Sequence, residues 1–236
     1  TGTNAQITNS SNSSLIVNGA SRLAGTLTTS GAQRYLGAVV LENDTTLINK
    51  DSSSAITFTS SVDGAKNLIV NNAGATTFKG AVGATTALTS LTTDAVGRTN
   101  LNGGSVKTTG AQTYNDPVIL GKDTILISTN SSSEPSLIRL TSTVDGAYVL
   151  KTITNDSNGV TNFEGDIGST VALKGFTLNT NTFTAKGIRV ESDGAIQIAV
   201  RSAGKITGVI SGSGVTLVKS GIGTLTLLGA NTYTGG

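Results

Sequence analysis

The sequence predicts an all-β chain wound as a right-handed parallel β-helix, a β-solenoid. Three observations predict it: short runs that alternate aliphatic with hydroxyl side chains, Gly-bearing dipeptides between those runs, and an internal duplication of roughly eighty residues. The runs include Leu15-Ile16-Val17, Ala55-Ile56-Thr57-Phe58-Thr59, Ser136-Leu137-Ile138-Arg139-Leu140 and Ile196-Gln197-Ile198-Ala199-Val200. Alternation with period two places one set of side chains inward and the other outward, which suits a strand with one buried face. No helical spacing persists past two turns. The runs end at Asn18-Gly19, Asp63-Gly64, Asn102-Gly103, Asp145-Gly146, Asn158-Gly159 and Asp193-Gly194, dipeptides that tolerate the positive φ of a sharp chain reversal.

The duplication is legible by eye. Gly31-Ala32-Gln33-Arg34-Tyr35 returns as Gly110-Ala111-Gln112-Thr113-Tyr114, and Asp44-Thr45-Thr46-Leu47-Ile48 returns as Asp123-Thr124-Ile125-Leu126-Ile127. Further on, Ser61-Val62-Asp63-Gly64-Ala65 returns as Thr143-Val144-Asp145-Gly146-Ala147, and Phe78-Lys79-Gly80-Ala81-Val82-Gly83 as Phe163-Glu164-Gly165-Asp166-Ile167-Gly168. The second copy is longer by two polar insertions, around Asn130 to Pro135 and near Asn155 to Asn158. Insertions of that kind bulge outward from a stack and leave its inward positions in register. A unit of this size divides into roughly four coils of about twenty residues, and the whole chain into about eleven or twelve coils, on the order of 55 Å of rod. We therefore expect one solenoid segment over residues 1–236, with internal repeats at about 25–103 and 104–185 and a distinct repeat at 204–236. The alternative is a pair of tandem β-sandwich domains, one per repeat.

Composition bounds the interior and the surface. Aromatic residues are 4% of the chain, so a thick core rich in rings is not expected; charged residues are only 13%, so the surface is hydroxyl and amide. A net charge of +2 and two prolines do not fit the charged, proline-rich signature of disorder. Thr and Asn ladders are expected on or near the outside of a thin aliphatic axis.

The tail carries the most specific motif. Leu217-Val218-Lys219-Ser220-Gly221-Ile222-Gly223-Thr224-Leu225-Thr226-Leu227 is followed by Gly229-Ala230-Asn231-Thr232-Tyr233-Thr234-Gly235-Gly236. This resembles the autotransporter-associated β-strand repeat, whose Leu-x-Lys-x-Gly-x-Gly-Thr-Leu-x-Leu and Gly-x-Asn-Thr-Tyr-x-Gly-Gly positions are all matched. The paired Gln-x-Tyr units are more loosely similar to repeats of haemagglutinin-like bacterial surface proteins. The resemblance implies a β-helical autotransporter passenger region, carried on the surface of Gram-negative bacteria. It also implies a longer parent protein, with this chain a fragment of it.

Catalytic chemistry finds few candidates. There is no histidine and no cysteine, which removes the usual general base, the commonest metal ligand, thiolate chemistry and disulfides. Clustered carboxylates of the kind used on polysaccharides remain conceivable at Asp63, Asp145 and Asp193. Each precedes Gly, so an Asx-type turn is the simpler expectation, and the equivalent pair Asp44 and Asp123 reads the same way. The Gly-x-Gly elements at Gly212 and Gly221 lack the third glycine and the following helix of a phosphate loop and read as tight corners. Tyr35, Tyr114, Tyr148 and Tyr233 are candidates for a sugar-stacking groove, but the equivalence of Tyr35 and Tyr114 favours packing. Asn-x-Ser/Thr triplets at Asn9, Asn12, Asn43, Asn130 and Asn155 arise readily in such a composition. No catalytic, cofactor-binding or metal-binding residue is assigned.

The sixteen basic residues are scattered singly among fourteen acidic ones, which argues against a nucleic-acid face. No apolar stretch is long enough for a membrane helix, and Thr1 to Ser14 has no signal-peptide pattern. The expected function is a non-enzymatic structural or adhesive scaffold of a large cell-surface or secreted bacterial protein. Its partners would be host-cell, neighbouring-cell or matrix receptors, or copies of itself. A carbohydrate-binding or carbohydrate-active solenoid, and a self-assembling subunit of an extracellular fibre or sheath, are the alternatives.

Overall fold

The computed structural model describes residues 14–129, 136–154 and 156–235. The first insertion, Asn130 to Pro135, the start of the chain and the triplets at Asn9, Asn12, Asn130 and Asn155 lie outside the described residues.

Alternation builds the strands as expected. In the run Ile196 to Val200, the side chains of Ile196, Ile198 and Val200 are fully buried and Gln197 is exposed. Twenty-three strands form among the described residues, with no helix, and every pairing between them is parallel. The chain is a parallel β-solenoid of about 10 turns. One ladder runs its length: Leu15, Gln33, Ile56, Thr76, Thr99, Val118, Val144, Ile167, Ile188 and Ile210 lie one above another. Turns range from the short step between Leu15 and Gln33 to the long one between Val118 and Val144, the latter holding the first polar insertion. Most turns exceed twenty residues, which is why fewer coils form than the sequence suggested, and the rod is shorter, on the order of 50 Å at ~4.8 Å per turn.

Each turn has three strand-bearing sides. In the second turn they are Gln33–Tyr35 on the first side, residues 39–41 on the second and residues 45–49 on the third. The ladders cross the boundary between the two sequence repeats without a break, since Arg98–Leu101 pairs with Val118–Leu120 and Ser90–Thr93 with Gln112–Tyr114. Continuous parallel pairing there leaves no place for two separate sandwiches.

The sequence repeat and the structural turn are out of phase. Tyr35 lies on the first side, with Phe58, whereas its counterpart Tyr114 lies on the third, with Leu140. Between them the chain passes three complete turns and two further sides. The same displacement holds for Val62 and Val144 and for Phe78 and Phe163. A duplicated unit can keep its inward residues inward after rotation by one side only if the three sides are nearly interchangeable in shape.

The interior also departs from the expected thin aliphatic axis. All five phenylalanines and both Gln-x-Tyr tyrosines are buried. Tyr35 stacks on Phe58 at 5.2 Å between ring centroids, and Phe58 on Phe78 at 5.0 Å, because the ladder sets the rings one strand spacing apart. Polar side chains sit inside as well: Thr108, Ser128, Thr154 and Thr180 near one corner, and Asn49 and Asn72 near another. The Asp-Gly dipeptides do not reverse the chain. Gly64 and Gly146 have φ of 124° and 136° and turn a corner of the coil, with the next strand still parallel.

Candidate functional surfaces

The aspartates singled out from sequence are not brought together; each ties one turn to the next. Asp63 Oδ1 accepts from the amides of Thr85 and Thr86 at 2.8 and 3.0 Å, and Asp145 Oδ1 from those of Thr170 and Val171 at 2.7 and 3.0 Å. These pairs of amides belong to the duplicated loops that follow Gly83 and Gly168. The expected local Asx turn is therefore replaced by a bond to a loop more than twenty residues on. Asp44 accepts from the amide and the side chain of Asn67, both at 2.9 Å, which holds its carboxyl below the usual range; Asp123 accepts from Val149 N at 2.9 Å. Asp193 takes the positive φ of its dipeptide itself, at 61°, and donates its amide to Ser213 O at 2.8 Å. Carboxylates spread along a rod, with those of Asp63, Asp145, Asp44 and Asp123 occupied by amides, do not form an acid–base pair. Among the described residues no group of three or more Asp and Glu side chains is placed to hold a metal ion.

The tyrosines divide. Tyr35 and Tyr114 are fully buried, and burial pushes both phenols up, so neither lines a surface. Each completes the same internal network. Gln33 donates to Thr29 Oγ1 at 3.1 Å and to Ile48 O at 3.0 Å and accepts from the Tyr35 hydroxyl at 3.0 Å. Gln112 does the same with Thr108, Ile127 O and the Tyr114 hydroxyl at 3.3, 2.8 and 3.1 Å. Tyr148 and Tyr233 are partly buried against the core, with the Lys174 ammonium 5.9 Å from the Tyr148 ring centre.

Outward side chains form rows along the rod. On the third side Thr26, Thr46, Ile69, Thr92 and Thr113 lie in line on successive turns. Beside them Asp44, Asn67 and Ser90 are linked turn to turn, Ser90 donating to Asn67 Oδ1 at 2.7 Å. Thr46, Ile69, Thr92 and this polar row border a shallow cleft of about 340 Å³. It is open, uncharged apart from Asp44, and holds no aromatic platform.

The tail motif spans one turn. Thr216–Ser220 lies on Ala195 to Ala199, Thr224–Leu227 lies on Ala203 to Ile206, and Thr232 N donates to Ile210 O. The Asn231 side chain accepts from Ile210 N at 2.9 Å. Gly221 turns the corner with φ of 78°, and a Cβ on Gly223 would meet the Ser202 backbone at 2.4 Å, so the motif's glycines sit where turns stack without room for a side chain. On the inward ladder Ile198 is followed by Lys219, whose ammonium turns to Gly221 O at 2.6 Å.

One buried carboxylate went unremarked in the sequence. Asp116 is 2% exposed, in the corner between Gln112–Tyr114 and Val118–Leu120. Its signal was the place where the copies diverge: Tyr35-Leu36-Gly37-Ala38 is matched by Tyr114-Asn115-Asp116-Pro117, an acid replacing glycine.

No family model, curated protein or solved structure matches the chain.

Proposed function

We propose that this chain is a non-catalytic structural or adhesive scaffold, a rod segment of a large bacterial surface or secreted protein of the autotransporter type. The observation that carries the proposal is the use made of its polar side chains. The Asp63 and Asp145 carboxylates are engaged in bonds between turns, Asp193 joins its turn to the next through its amide, and the two equivalent tyrosines are interior, so these residues serve to hold the stack together. A rigid parallel stack suits the task of holding a binding tip or neighbouring domain away from an outer membrane.

The experiment pairs two measurements on the purified chain. Binding to host cells, bacterial cells and matrix proteins is measured alongside a reducing-sugar assay against a panel of polysaccharides. Saturable adhesion without turnover supports the scaffold; turnover of any polysaccharide overturns it.

A carbohydrate-binding solenoid is the second reading, favoured by the cleft beside Ile69 with its row of hydroxyl and amide groups. A glycan array separates the two, since retention of one sugar class, lost in Asn67→Ala, supports this reading and no retention discards it. The fibre-subunit reading is favoured by the exposed apolar side chains of Val218, Ile222 and Leu228.

A further inference from the structure

We propose that the corner holding Asp116 is an acid-strengthened clasp, contributing most to stability when its buried carboxyl is neutral and less when the carboxyl ionises with no cation to meet it. The carboxyl reaches down into the preceding turn. Thr93 donates to Oδ1 at 2.8 Å, and Thr99 lies 2.9 Å from both oxygens. Those two threonines mark the two ends of the corner at residues 93–99, so one carboxyl fastens both ends. Asn115 adds a bond from Nδ2 to Thr93 O at 2.7 Å.

On two other turns of the same ladder this position holds a neutral amide. Asp116 follows Tyr114 by two residues as Asn72 follows Val70 and Asn49 follows Leu47, and Leu47, Val70, Thr93 and Tyr114 are partners in one ladder. Asn72 serves its corner without charge, donating to Thr76 Oγ1 and accepting from Gly74 N at 3.3 Å each. An aspartate there matches the amide only while it is protonated. Ionised, it is a buried anion with hydroxyl donors and no cation, since the ion pairs among the described residues join Arg22 to Glu42 and Arg139 to Glu164.

The titratable groups that face it offer no relief. Asp94, from the corner of the turn below, is a like charge whose own Oδ1 is buried without a partner, and burial pushes its carboxyl up. Tyr114, on the strand before the corner, stays a neutral phenol because burial pushes it up, and supplies no positive charge. From the turn above, Thr141 bonds to Asn115 O at 3.0 Å and carries no charge. Burial pushes the Asp116 carboxyl up to about 6, against the pull of the Thr93 and Thr99 donors and with the help of Asp94. A raised folded pKa means that the folded chain holds the proton more tightly than the unfolded chain. The protonated clasp is therefore at full strength below 3.8, weakens as pH rises towards about 6, and stays weak above it.

The test compares the native chain with Asp116→Asn, following thermal unfolding from about pH 4 to about pH 8. The expected result is a midpoint that falls by several degrees across this window in the native chain relative to the variant, whose corner carries the amide throughout. Identical pH profiles for the two chains overturn the proposal, as does a profile flattened by Asp94→Asn and untouched by Asp116→Asn. Carbon-13 detection of the Asp116 carboxyl in the native chain tests the same point without mutation. Titration near 6 supports the clasp, and titration in the ordinary aspartate range overturns it.

Discussion

The Tyr35 and Tyr114 hydroxyls donate to Gln33 and Gln112 at 3.0 and 3.1 Å, in the same internal network built on two different sides of the rod. Each glutamine also donates to the backbone fifteen residues further along the winding, at Ile48 O and Ile127 O. The side chain thus fastens the winding from within, where no water competes for its amide.

Removing one hydroxyl leaves a buried glutamine oxygen without its donor. Tyr114→Phe is expected to lower unfolding stability by about 1–3 kcal/mol, and Tyr35→Phe by a similar amount. The two sites lie more than three turns apart, so the double variant should show the sum to within ~0.5 kcal/mol. Urea unfolding of the three variants checks both statements.

Asp63 and Asp145 give a paired prediction on loop order. Each accepts two backbone amides of the loop above it. Asp63→Ala leaves the amides of Thr85 and Thr86 unpaired at a cost of about 1–3 kcal/mol, with Asp145→Ala doing the same at Thr170 and Val171. Limited proteolysis should cut the loop above the altered residue and spare the other, because contacts in a stack reach only neighbouring turns.

What the sequence made legible was whatever period two and the duplication encode. Ile196 and Ile198 were readable as inward residues because they flank the polar Gln197 in an alternating run, and the paired motifs marked the duplicated unit. The phase of the repeat was not readable: the spacing of Tyr35 and Tyr114 gives a residue count, and only the ladder shows that it spans three turns and two sides. The roles of Asp63 and Asp145 were missed for a related reason. A following glycine advertises a local turn, whereas their partners lie on the next turn, at a distance set by loop length rather than by any dipeptide. Asp116 escaped notice because burial of a carboxylate leaves no mark on the chain other than the break in the duplication.

The last turn carries an association prediction. Val218, on Thr216–Ser220, is 53% exposed, and Ile222 and Leu228, in the corners that follow Thr216–Ser220 and Thr224–Leu227, are 94% and 58% exposed. Clustered exposed apolar side chains promote association between chains. Sedimentation of the purified chain is expected to show concentration-dependent association, and Ile222→Asp with Leu228→Asp should suppress it. Electron microscopy of the concentrated native chain reads the same outcome as filaments or their absence.

A deletion tests the phase of the ladders directly. Thr76 and Thr99 are partners on the first side, so residues 76–98 make one turn, and excising them sets Thr99 over Ile56 and Leu101 over Phe58. The first of these reproduces the native contact of Ile56 with Thr76, and the second replaces the Phe58–Phe78 ring stack by a ring on a leucine. This variant is expected to fold as a parallel rod one turn shorter, by ~4.8 Å in scattering length, with the strand signature of the parent in circular dichroism. Excision of residues 76–97, one fewer, leaves Arg98 in the inward place of Thr76 and turns the following alternation inside out. That chain should unfold at markedly lower temperature than the whole-turn deletion, since it buries a guanidinium where the ladder takes a hydroxyl. Equal stability of the two deletions would mean that the corners absorb a residue freely and that the ladders do not set the register of the stack.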